Sequence, residues 1–219
     1  RDSRKPTRNR TVEPILVLDK ISKRFGGVRA LNDMRLKVFA GEVVALIGEN
    51  GAGKSTMVKI LTGIHSPDAG EIKLNGEPLR LHSPLAAMHA GITAVHQETV
   101  MFDQLTVAEN IYMGHHPKTA GLPRIDWALM EREAAKLFER LEVKLSPRAR
   151  VKDLSIAQRH FIEIARALSQ DARVVIMDEP SAALSQREIH ELYRIIGQLK
   201  AHGTAVIFIS HKFDEIFAV

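Results

Sequence analysis

The sequence predicts an α/β fold with a mostly parallel sheet, an antiparallel β edge layer and an inserted α-helical subdomain. Three observations support this prediction. Short apolar runs rich in β-forming residues end in glycine or polar turns and alternate with helical patterns. Strand patterns are absent between about residue 98 and residue 170, where helical patterns dominate. The composition, 45% apolar and 26% charged over 219 residues, is that of a globular domain with a sizeable core.

The formal net charge of +5 comes mainly from one end of the chain. The first ten residues alone carry a net +4, which leaves +1 for everything after them. We therefore expect residues 1–12 to be a basic, disordered arm, and we do not expect a nucleic-acid-binding face. No apolar run approaches the roughly 18 residues needed to cross a bilayer. The absence of cysteine excludes disulfides and thiolate chemistry within this sequence.

Seven segments are predicted as strands, and their patterning separates them into two groups. Residues 43–47, 174–177 and 205–209 are continuously apolar, which is typical of central strands buried on both faces. Polar residues or glycine turns interrupt the remaining segments, which favours an antiparallel edge layer. Those segments are residues 15–18, 35–38, 71–74 and 92–95.

Capping residues mark the starts of the helices in the second half of the chain. Three residue pairs fit the capping-box pattern, namely Thr106 with Glu109, Ser155 with Gln158, and Ser185 with Glu188. Asp126 is the expected N-cap of an amphipathic helix whose apolar residues recur every three or four positions. That apolar face consists of Trp127, Met130, Ala134, Leu137, Phe138 and Leu141.

Residues 48–55 match the pattern G-x-x-x-x-G-K-[ST], between an apolar strand and a helix predicted from about residue 54 to residue 61. Glycines let successive backbone N–H groups turn inward around an anion, and the helix N-terminus adds a positive field. Lys54 supplies a charge for the β- and γ-phosphates, and Ser55 supplies a hydroxyl for Mg²⁺. The predicted nucleoside triphosphate site comprises Gly48, Glu49, Asn50, Gly51, Ala52, Gly53, Lys54, Ser55 and the adjoining Thr56.

A second chemical signal lies where the apolar segment 174–177 ends, in Asp178 and Glu179. Ligands bind at the carboxyl ends of strands in open α/β sheets. Successive residues of a strand point to opposite sides, so the two carboxylates cannot perform the same task. One of them can hold the shell of Mg²⁺ while the other faces the attacking water.

Together these motifs resemble the ATP-binding subunit of ABC transporters, and the resemblance covers nearly all of residues 13–219. Four further features, in the family's order and spacing, support it. Phe25 precedes the loop where the family stacks adenine, Gln97 follows segment 92–95, Ser155 and Gln158 lie in a Leu-Ser-x-x-Gln signature, and His211 follows segment 205–209. The predicted architecture is therefore that of a P-loop NTPase core.

The resemblance implies a role for each of these residues. Glu179 is the expected general base, and Asp178 is expected to orient Mg²⁺ through water. Gln97 is expected to contact Mg²⁺ or water, in a loop that senses a membrane subunit. His211 is expected to contact the γ-phosphate and Glu179. Ser155, Ala157 and Gln158 are expected to bind ATP held by a partner domain.

The signature departs from the family pattern, because Ile156 and Ala157 stand where two glycines are usual. Ala157 keeps a backbone N–H and adds only a methyl group, so phosphate binding is not excluded. Ile156 indicates either that the backbone needs no positive φ there or that the loop is looser than in the family. Ser185 replaces an aspartate that the family often has, although helix initiation at Ser185 survives.

The residues found at four of the family's motif segments most resemble those of the branch that imports monosaccharides such as ribose, xylose or galactose. These segments are residues 49–52, 96–98, 154–158 and 181–184. We expect an ATP-binding domain over residues 13–219, with core segments 13–97 and 168–219 and a helical subdomain over 98–167. The family continues beyond the helix that follows His211, so the domain is expected to be truncated at its C-terminal end.

The function implied is that of a motor that binds ATP and Mg²⁺ and couples ATP binding and hydrolysis to sugar uptake. The expected partners are a membrane permease, a second ATP-binding domain (as a homodimer or a fused tandem copy) and, indirectly, a periplasmic or extracellular sugar-binding protein, with no nucleic acid. The expected location is peripheral, on the cytoplasmic face of the plasma (inner) membrane. One alternative is a soluble ABC-type ATPase of translation or DNA repair. Another is a phosphate-loop kinase, but the signature and His211 argue against a kinase.

Overall fold

The computed structural model describes residues 13–49, 51–95, 101–119, 121–182 and 184–218, which form two four-stranded sheets and seven α-helices. The strands are β1 (Leu16–Phe25), β2 (Val28–Val38), β3 (Val43–Leu46), β4 (Ala69–Leu74), β5 (Glu77–Pro78), β6 (Ile92–Val95), β7 (Val174–Asp178) and β8 (Ala205–Ile209). The helices are α1 (Lys54–Leu61), α2 (Pro84–His89), α3 (Val107–Ile111), α4 (Trp127–Arg140), α5 (Ile156–Ser169), α6 (Gln186–Ala201) and α7 (Phe213–Ala218), with a 3₁₀ turn at Val151–Asp153.

One sheet is parallel, with the strand order β3-β8-β7-β6. Its middle strands β7 and β8 bury their apolar residues, as predicted for residues 174–177 and 205–209. The prediction that residues 43–47 form a central strand is wrong, because β3 lies at an edge and its side chains are only half-buried. Its apolar run arises because Val43 packs on one face of the sheet and Val44 on the other.

The other sheet is antiparallel, with the strand order β2-β1-β4-β5. It confirms the antiparallel layer predicted from residues 15–18, 35–38 and 71–74. The assignment of residues 92–95 to this layer is wrong, because β6 pairs in parallel with β7. The glycine turn that precedes β6 made this segment resemble an exposed strand. In the structure, β6 is the second edge strand of the parallel sheet.

Strands β1 and β2 are longer than predicted and form a hairpin. Their pairing runs from Leu16 opposite Val38 to Phe25 opposite Val28. Two glycines form the turn between them, and Gly26 has a left-handed φ of 55°. A glycine pair between two strand-like runs is a hairpin signal. The pairing places Phe25 at the tip of the hairpin.

The parallel sheet carries a packed layer on each face. Val175 and Met177 of β7 belong to a hydrophobic cluster that includes residues of α3 to α6. Val174 and Ile176 alternate with them along β7 and belong to a second cluster, which includes residues of α1 and of the antiparallel sheet. This alternation follows from the two-residue period of a strand. The result is a three-layer arrangement with the parallel sheet in the middle.

All five predicted helix starts are confirmed. Both hydrogen bonds of a capping box are present at Thr106, Ser155 and Ser185. The side chain of Asp126 accepts a hydrogen bond of 2.8 Å from the backbone N–H of Leu129 at the start of α4. Helix α1 spans the predicted residues 54 to 61.

Helix α4 differs from its prediction in one respect. Trp127 is exposed, whereas Met130, Ala134, Phe138 and Leu141 are buried. The apolar face of α4 therefore begins one turn later than its sequence pattern indicates.

Helices α3, α4 and α5 pack against one another, in the region where a helical subdomain is predicted. The boundary predicted between residues 167 and 168 falls inside α5, which runs to Ser169. Within the ranges that the structure describes, no helix combines the length and the apolar character needed to cross a membrane.

Candidate functional site

The predicted phosphate loop lies between the end of β3 and the start of α1. Gly51 and Gly53 have left-handed φ values of 89° and 87°, and Gly53 is the N-cap of α1. A Cβ atom at Gly53 would lie 2.5 Å from the carbonyl oxygen of Ala30 and 2.8 Å from Cδ2 of Leu31. The loop therefore packs directly against β2, and Gly53 is required for both its conformation and its close approach.

The side chain of Lys54 folds back over this loop. Its Nζ donates hydrogen bonds to the carbonyl oxygens of Gly48 and Glu49, the second at 3.0 Å. The backbone N–H of Ala52 donates to the same Glu49 carbonyl at 3.1 Å. Ser55 is exposed in the first turn of α1. A positive charge, a helix N-terminus and an accessible hydroxyl thus lie within one short segment, as phosphate binding requires.

Sheet register brings the other predicted residues to the same edge. In the parallel sheet, Ile209 of β8 pairs with Leu46 of β3 on one side and with Asp178 of β7 on the other. The residues that follow these three strand ends are the phosphate loop, Glu179 and the segment that carries His211. All of them therefore leave the sheet at its carboxyl edge, where ligands bind in such folds.

Glu179 and His211 are in direct contact at this edge. Nδ1 of His211 lies 3.1 Å from Oε1 of Glu179. The Glu179 side chain is 27% exposed, so it is accessible to a water molecule without being fully solvated. Its backbone has a left-handed φ of 48°, and its N–H donates to the carbonyl of Ile209 at 3.0 Å. The end of β8 thus holds Glu179 in a conformation that non-glycine residues rarely adopt.

A buried carboxylate that no motif marks lies behind this pair. Glu215 of α7 accepts hydrogen bonds of 2.7 Å from the hydroxyls of both Ser181 and Ser210. The sequence offers little signal for this cluster, because Ser181 and Glu215 are 34 positions apart. The only pattern is an acidic residue in the first turn of the helix that follows a strand end.

The hairpin of β1 and β2 packs beside the phosphate loop, because the carbonyl of Ala30 in β2 lies against Gly53. Phe25 lies at the tip of this hairpin. The exposed Phe25 ring meets the ring of His65 edge to face, with centroids 5.1 Å apart. Nζ of Lys23 lies 5.6 Å from the centroid of the Phe25 ring. An exposed aromatic face beside a phosphate loop suits a stacked base. Sequence reasoning did not single out His65, which touches Phe25 across the fold.

Asp68 anchors the strand end that carries this ring. It accepts hydrogen bonds of 2.7 Å from Nζ of Lys23 and from the backbone N–H of Arg24. The hydrogen bond from Lys23 is the main cause of the lowered pKa of Asp68. Asp68 therefore stays charged at neutral pH and holds Lys23 near the Phe25 ring.

The signature segment lies at the start of α5. Ile156 is helical and is 47% exposed, and its φ is not left-handed, so the backbone needs no glycine there. Ala157, by contrast, is 2% exposed and packs into the helical cluster. Hydrogen bonds from the backbone N–H and hydroxyl of Ser185, and another from Ser155, lower the pKa of Glu188. The start of α5 therefore lies close to the start of α6.

Among the described residues, the signature packs on the opposite face of the parallel sheet from the helix that follows the phosphate loop. The side chains of Ser155 and Gln158 each accept a hydrogen bond from the other's backbone N–H, which forms the capping box of α5. Two predicted site residues, Asn50 and Gln97, lie outside the described residues, as does the arm 1–12.

Oxygen atoms that suit Mg²⁺ are available at the site. Ser55 offers an exposed hydroxyl, and Asp178 offers a half-buried carboxylate at the carboxyl end of β7. Among the described residues, no group of three or more His, Cys, Asp and Glu side chains could hold a metal ion. Mg²⁺ usually takes only one or two protein ligands and completes its shell with phosphate oxygens and water. The donor set present therefore fits this ion.

A cavity of about 800 Å³ lies elsewhere in the molecule. Gly91 and Arg173, which line it, immediately precede β6 and β7. It therefore opens at the amino ends of these strands, opposite the edge that carries the phosphate loop.

Comparison with known proteins gives consistent matches. The family model described as ABC transporter matches residues 31–182. The ribose import ATP-binding protein RbsA 1 of Rhizobium meliloti is 57% identical over 209 residues, which are 95% of this chain and 41% of the relative. A putative ribose/galactose/methyl galactoside import ATP-binding protein of Burkholderia cenocepacia is 48% identical over 94% of this chain and 40% of the relative. The chain thus spans about two fifths of the length of these curated relatives.

Solved structures of ATP-binding cassettes have the same fold as this chain. The ADP conformation of MJ1267, an ATP-binding cassette of an ABC transporter, superimposes with a TM-score of 0.81 at 27% identity, over 93% of this chain and 83% of that one. A nucleotide-free ATP-binding cassette from an ABC transporter has a TM-score of 0.80 at 27% identity, over 93% and 84% of the two chains.

Proposed function

The chain belongs to the ABC transporter family, and we propose that it is an ATP-hydrolysing domain that powers the import of a sugar. The family and the structural neighbours confirm the predicted P-loop fold. The observation that carries the proposal is the contact of 3.1 Å between Glu179 and His211 at the edge of the sheet where the phosphate loop begins. A base and a histidine in contact beside a phosphate loop suit phosphoryl transfer to water.

ATP binds first, to the phosphate loop and to the exposed ring of Phe25. The backbone N–H groups of the loop and the N-terminus of α1 bind the β- and γ-phosphates. Lys54 gives up its bonds to the loop carbonyls and donates to phosphate oxygens instead. The exposed ring of Phe25 stacks on the adenine base.

Hydrolysis then requires one proton acceptor near the γ-phosphate. Water attacks the γ-phosphorus, and the bond from that phosphorus to the bridging oxygen of ADP breaks. The Glu179 carboxylate takes the proton of the attacking water, a role worth about 10²- to 10⁴-fold in rate. His211 holds Glu179 in place and donates toward the γ-phosphate. Ser55, Asp178 and Gln97 would hold Mg²⁺, which would supply positive charge to neutralise the phosphates when bound.

The coupling to transport is proposed from the relatives. Their names describe ATP-binding proteins for the import of ribose or of ribose, galactose and methyl galactoside. We propose that this chain works with a separate membrane permease, a second ATP-binding domain and, indirectly, a sugar-binding protein outside the membrane. We accordingly place the chain as a peripheral component at the cytoplasmic face of the inner membrane. The alternative of a soluble ATPase in translation or repair is not favoured by these names.

The experiment that tests the proposal uses the full chain, reconstituted with its permease in sealed vesicles. ATP hydrolysis and uptake of radiolabelled ribose, xylose and galactose are measured together. The variant Lys54→Ala should bind a fluorescent ATP analogue more weakly and lose both hydrolysis and uptake. Lys59→Ala removes the same charge from the exposed face of the same helix and should leave all three near wild type.

Two results would overturn the proposal. The absence of ATP hydrolysis by the wild-type assembly would exclude the motor function. Hydrolysis without ATP-dependent uptake of any of the three sugars would retain the ATPase and exclude this class of cargo.

A further inference from the structure

Glu215 is a buried carboxylate that the proposed reaction does not use. It lies on α7 and is 6% exposed. Its Oε1 accepts a hydrogen bond of 2.7 Å from the hydroxyl of Ser181 and lies 3.1 Å from Nζ of Lys212. Its Oε2 accepts a hydrogen bond of 2.7 Å from the hydroxyl of Ser210. Both oxygens are therefore occupied by donors from outside its own helix.

These donors lie on the two segments that carry the proposed catalytic pair. Ser181 follows Glu179 by two residues, and Ser210 immediately precedes His211. One carboxylate thus joins the segment after β7 to the segment after β8. Between these two attachment points, Glu179 and His211 meet at 3.1 Å.

This bridge, formed by Ser181, Glu215 and Ser210, also extends toward the phosphate loop. The backbone N–H of Ser210 donates to the carbonyl of Leu46, the last residue of β3, at 3.4 Å. The Ser210 hydroxyl in turn accepts a hydrogen bond of 3.0 Å from the backbone N–H of Lys212. The segment held by Glu215 is therefore attached both to the proposed base and to the strand from which the loop begins.

The carboxylate is charged in this position. Burial raises the pKa of Glu215, but the hydrogen bonds from Ser181, Ser210 and Lys212 outweigh burial and leave the pKa below its usual range. Hydrogen bonds to a charged acceptor are roughly twice as strong as those between neutral groups. The bridge is therefore stronger than a pair of serine contacts to a neutral side chain.

We propose that Glu215 is a positioning residue for ATP hydrolysis, which holds Glu179 and His211 in contact by joining Ser181 to Ser210. The inference rests on the proposed function and adds to it a residue that does not touch the nucleotide. Without the bridge, the two segments are free to separate while the phosphate loop stays intact. A displacement of about 1 Å at reacting groups can lower a rate by roughly 10²-fold. Turnover should therefore fall while ATP affinity is retained.

The first test compares Glu215→Gln with Asp214→Asn in the full chain. Both variants remove one negative charge from α7, but Asp214 is exposed and takes no part in the bridge. Glu215→Gln should lower kcat by roughly 10- to 100-fold, with the KM for ATP unchanged. Asp214→Asn should leave both constants unchanged. Equal kcat values for the two variants would overturn the inference, as would a loss confined to KM.

The second test separates positioning from a general loss of stability. Ser181→Ala deletes one hydroxyl of the bridge and keeps a small side chain, so it reports on the bridge even where Glu215→Gln folds poorly. It should also lower kcat without changing KM. A variant that loses Tm and active protein fraction, with normal kcat per active site, would show that the bridge is only structural.

The third test asks whether Glu215 acts through the catalytic pair. In a His211→Ala background, Glu215→Gln should cause little further loss of single-turnover rate, because the contact it maintains is already gone. A full, independent loss in that background would overturn the inference. These outcomes are distinct from failure of the proposed function, in which the wild type itself hydrolyses no ATP and the inference fails with it.

Discussion

At the scale of single residues, two glycines of the phosphate loop have the same backbone requirement and different surroundings. Gly51 and Gly53 both have left-handed φ values. An added Cβ meets nothing within 4 Å at Gly51, whereas at Gly53 it would lie 2.5 Å from the carbonyl oxygen of Ala30. The two positions therefore separate conformational strain from steric overlap.

We predict that Gly53→Ala damages the loop more than Gly51→Ala. Both variants incur the cost of a left-handed alanine, about 1 to 2 kcal/mol. Only Gly53→Ala must also push the loop away from β2, so it should lose ATP binding as well as Tm. Titration of both full-length variants with a fluorescent ATP analogue, with Tm measured in parallel, tests this. Equal losses of affinity would show that the contact with Ala30 is unimportant.

The residues that the sequence revealed are those with local chemistry. Lys54 lies within a contiguous pattern, and Glu179 directly follows an apolar run, so short windows identify both. Glu215 and His65 act through partners far along the chain, Ser181 and Phe25. No periodicity or spacing encodes such pairs. They become visible only when the sheets bring distant segments together.

At the scale of secondary structure elements, the caps were predictable and the strand positions were only partly so. Capping pairs lie three residues apart, so a single turn of sequence specifies them. The edge position of β3 depends on which strands pair beside it, which is a property of the whole sheet. Its apolar run looks central because Val43 and Val44 pack on opposite faces. The hairpin of β1 and β2 was underestimated, although Gly26 and Gly27 marked its turn.

Asn110 provides an element-scale test within α3. It is fully buried, and its side chain accepts a hydrogen bond of 2.9 Å from the backbone N–H of Phe102 and donates one of 3.1 Å to the Phe102 carbonyl. It also donates to the carbonyl of Thr106 at 2.9 Å. One amide therefore fixes the segment that leads into the helical layer.

We predict that Asn110→Ala destabilises the fold by about 2 kcal/mol, because it leaves the part-buried backbone N–H of Phe102 without its partner and removes one of the two hydrogen bonds that the Phe102 carbonyl accepts. Asn32→Ala, at an exposed position where the amide accepts one hydrogen bond from Arg29, should cost far less. Chemical denaturation of the two variants measures the difference. Equal free energies of unfolding would mean that the Asn110 contacts contribute nothing net.

At the scale of the whole molecule, the signature and the phosphate loop belong to different layers. Ala157 packs in the helical cluster, whereas Val58 of α1 belongs to the cluster on the other face of the sheet. We therefore expect the signature of one domain to meet the ATP that a second domain holds. Ala157 is unsuitable for testing this, because a charged side chain there would enter the core. Ile156 is exposed and suits the purpose.

We predict that mixing two defective full-length chains restores ATP trapping in part. Ile156→Asp places a carboxylate at the first residue of α5, where the helix dipole tolerates it but a bound γ-phosphate is repelled. Lys54→Ala disables the loop. Neither variant alone should trap ATP. The mixed pair has one site with a sound loop from the Ile156→Asp chain and a sound signature from the Lys54→Ala chain.

Occlusion of radiolabelled ATP measures this recovery. Ile156→Asn, which lacks the charge, is the control and should trap ATP by itself. No recovery on mixing, at concentrations where wild-type chains pair, would show that loop and signature act within one chain.

Glu179, held against His211 beside the phosphate loop, is the proposed base for ATP hydrolysis. Glu179→Gln keeps the size of the side chain and removes its capacity to take a proton. The decisive measurement is the rate of phosphate release by the full-length variant at saturating ATP, with ATP affinity determined on the same sample. Glu77→Gln, at an exposed position on β5, is the matched control. We predict unchanged ATP affinity and a rate at least about 10²-fold below that of the wild type and of the control. A rate near that of the wild type, with ATP bound normally, would show that Glu179 is not the base.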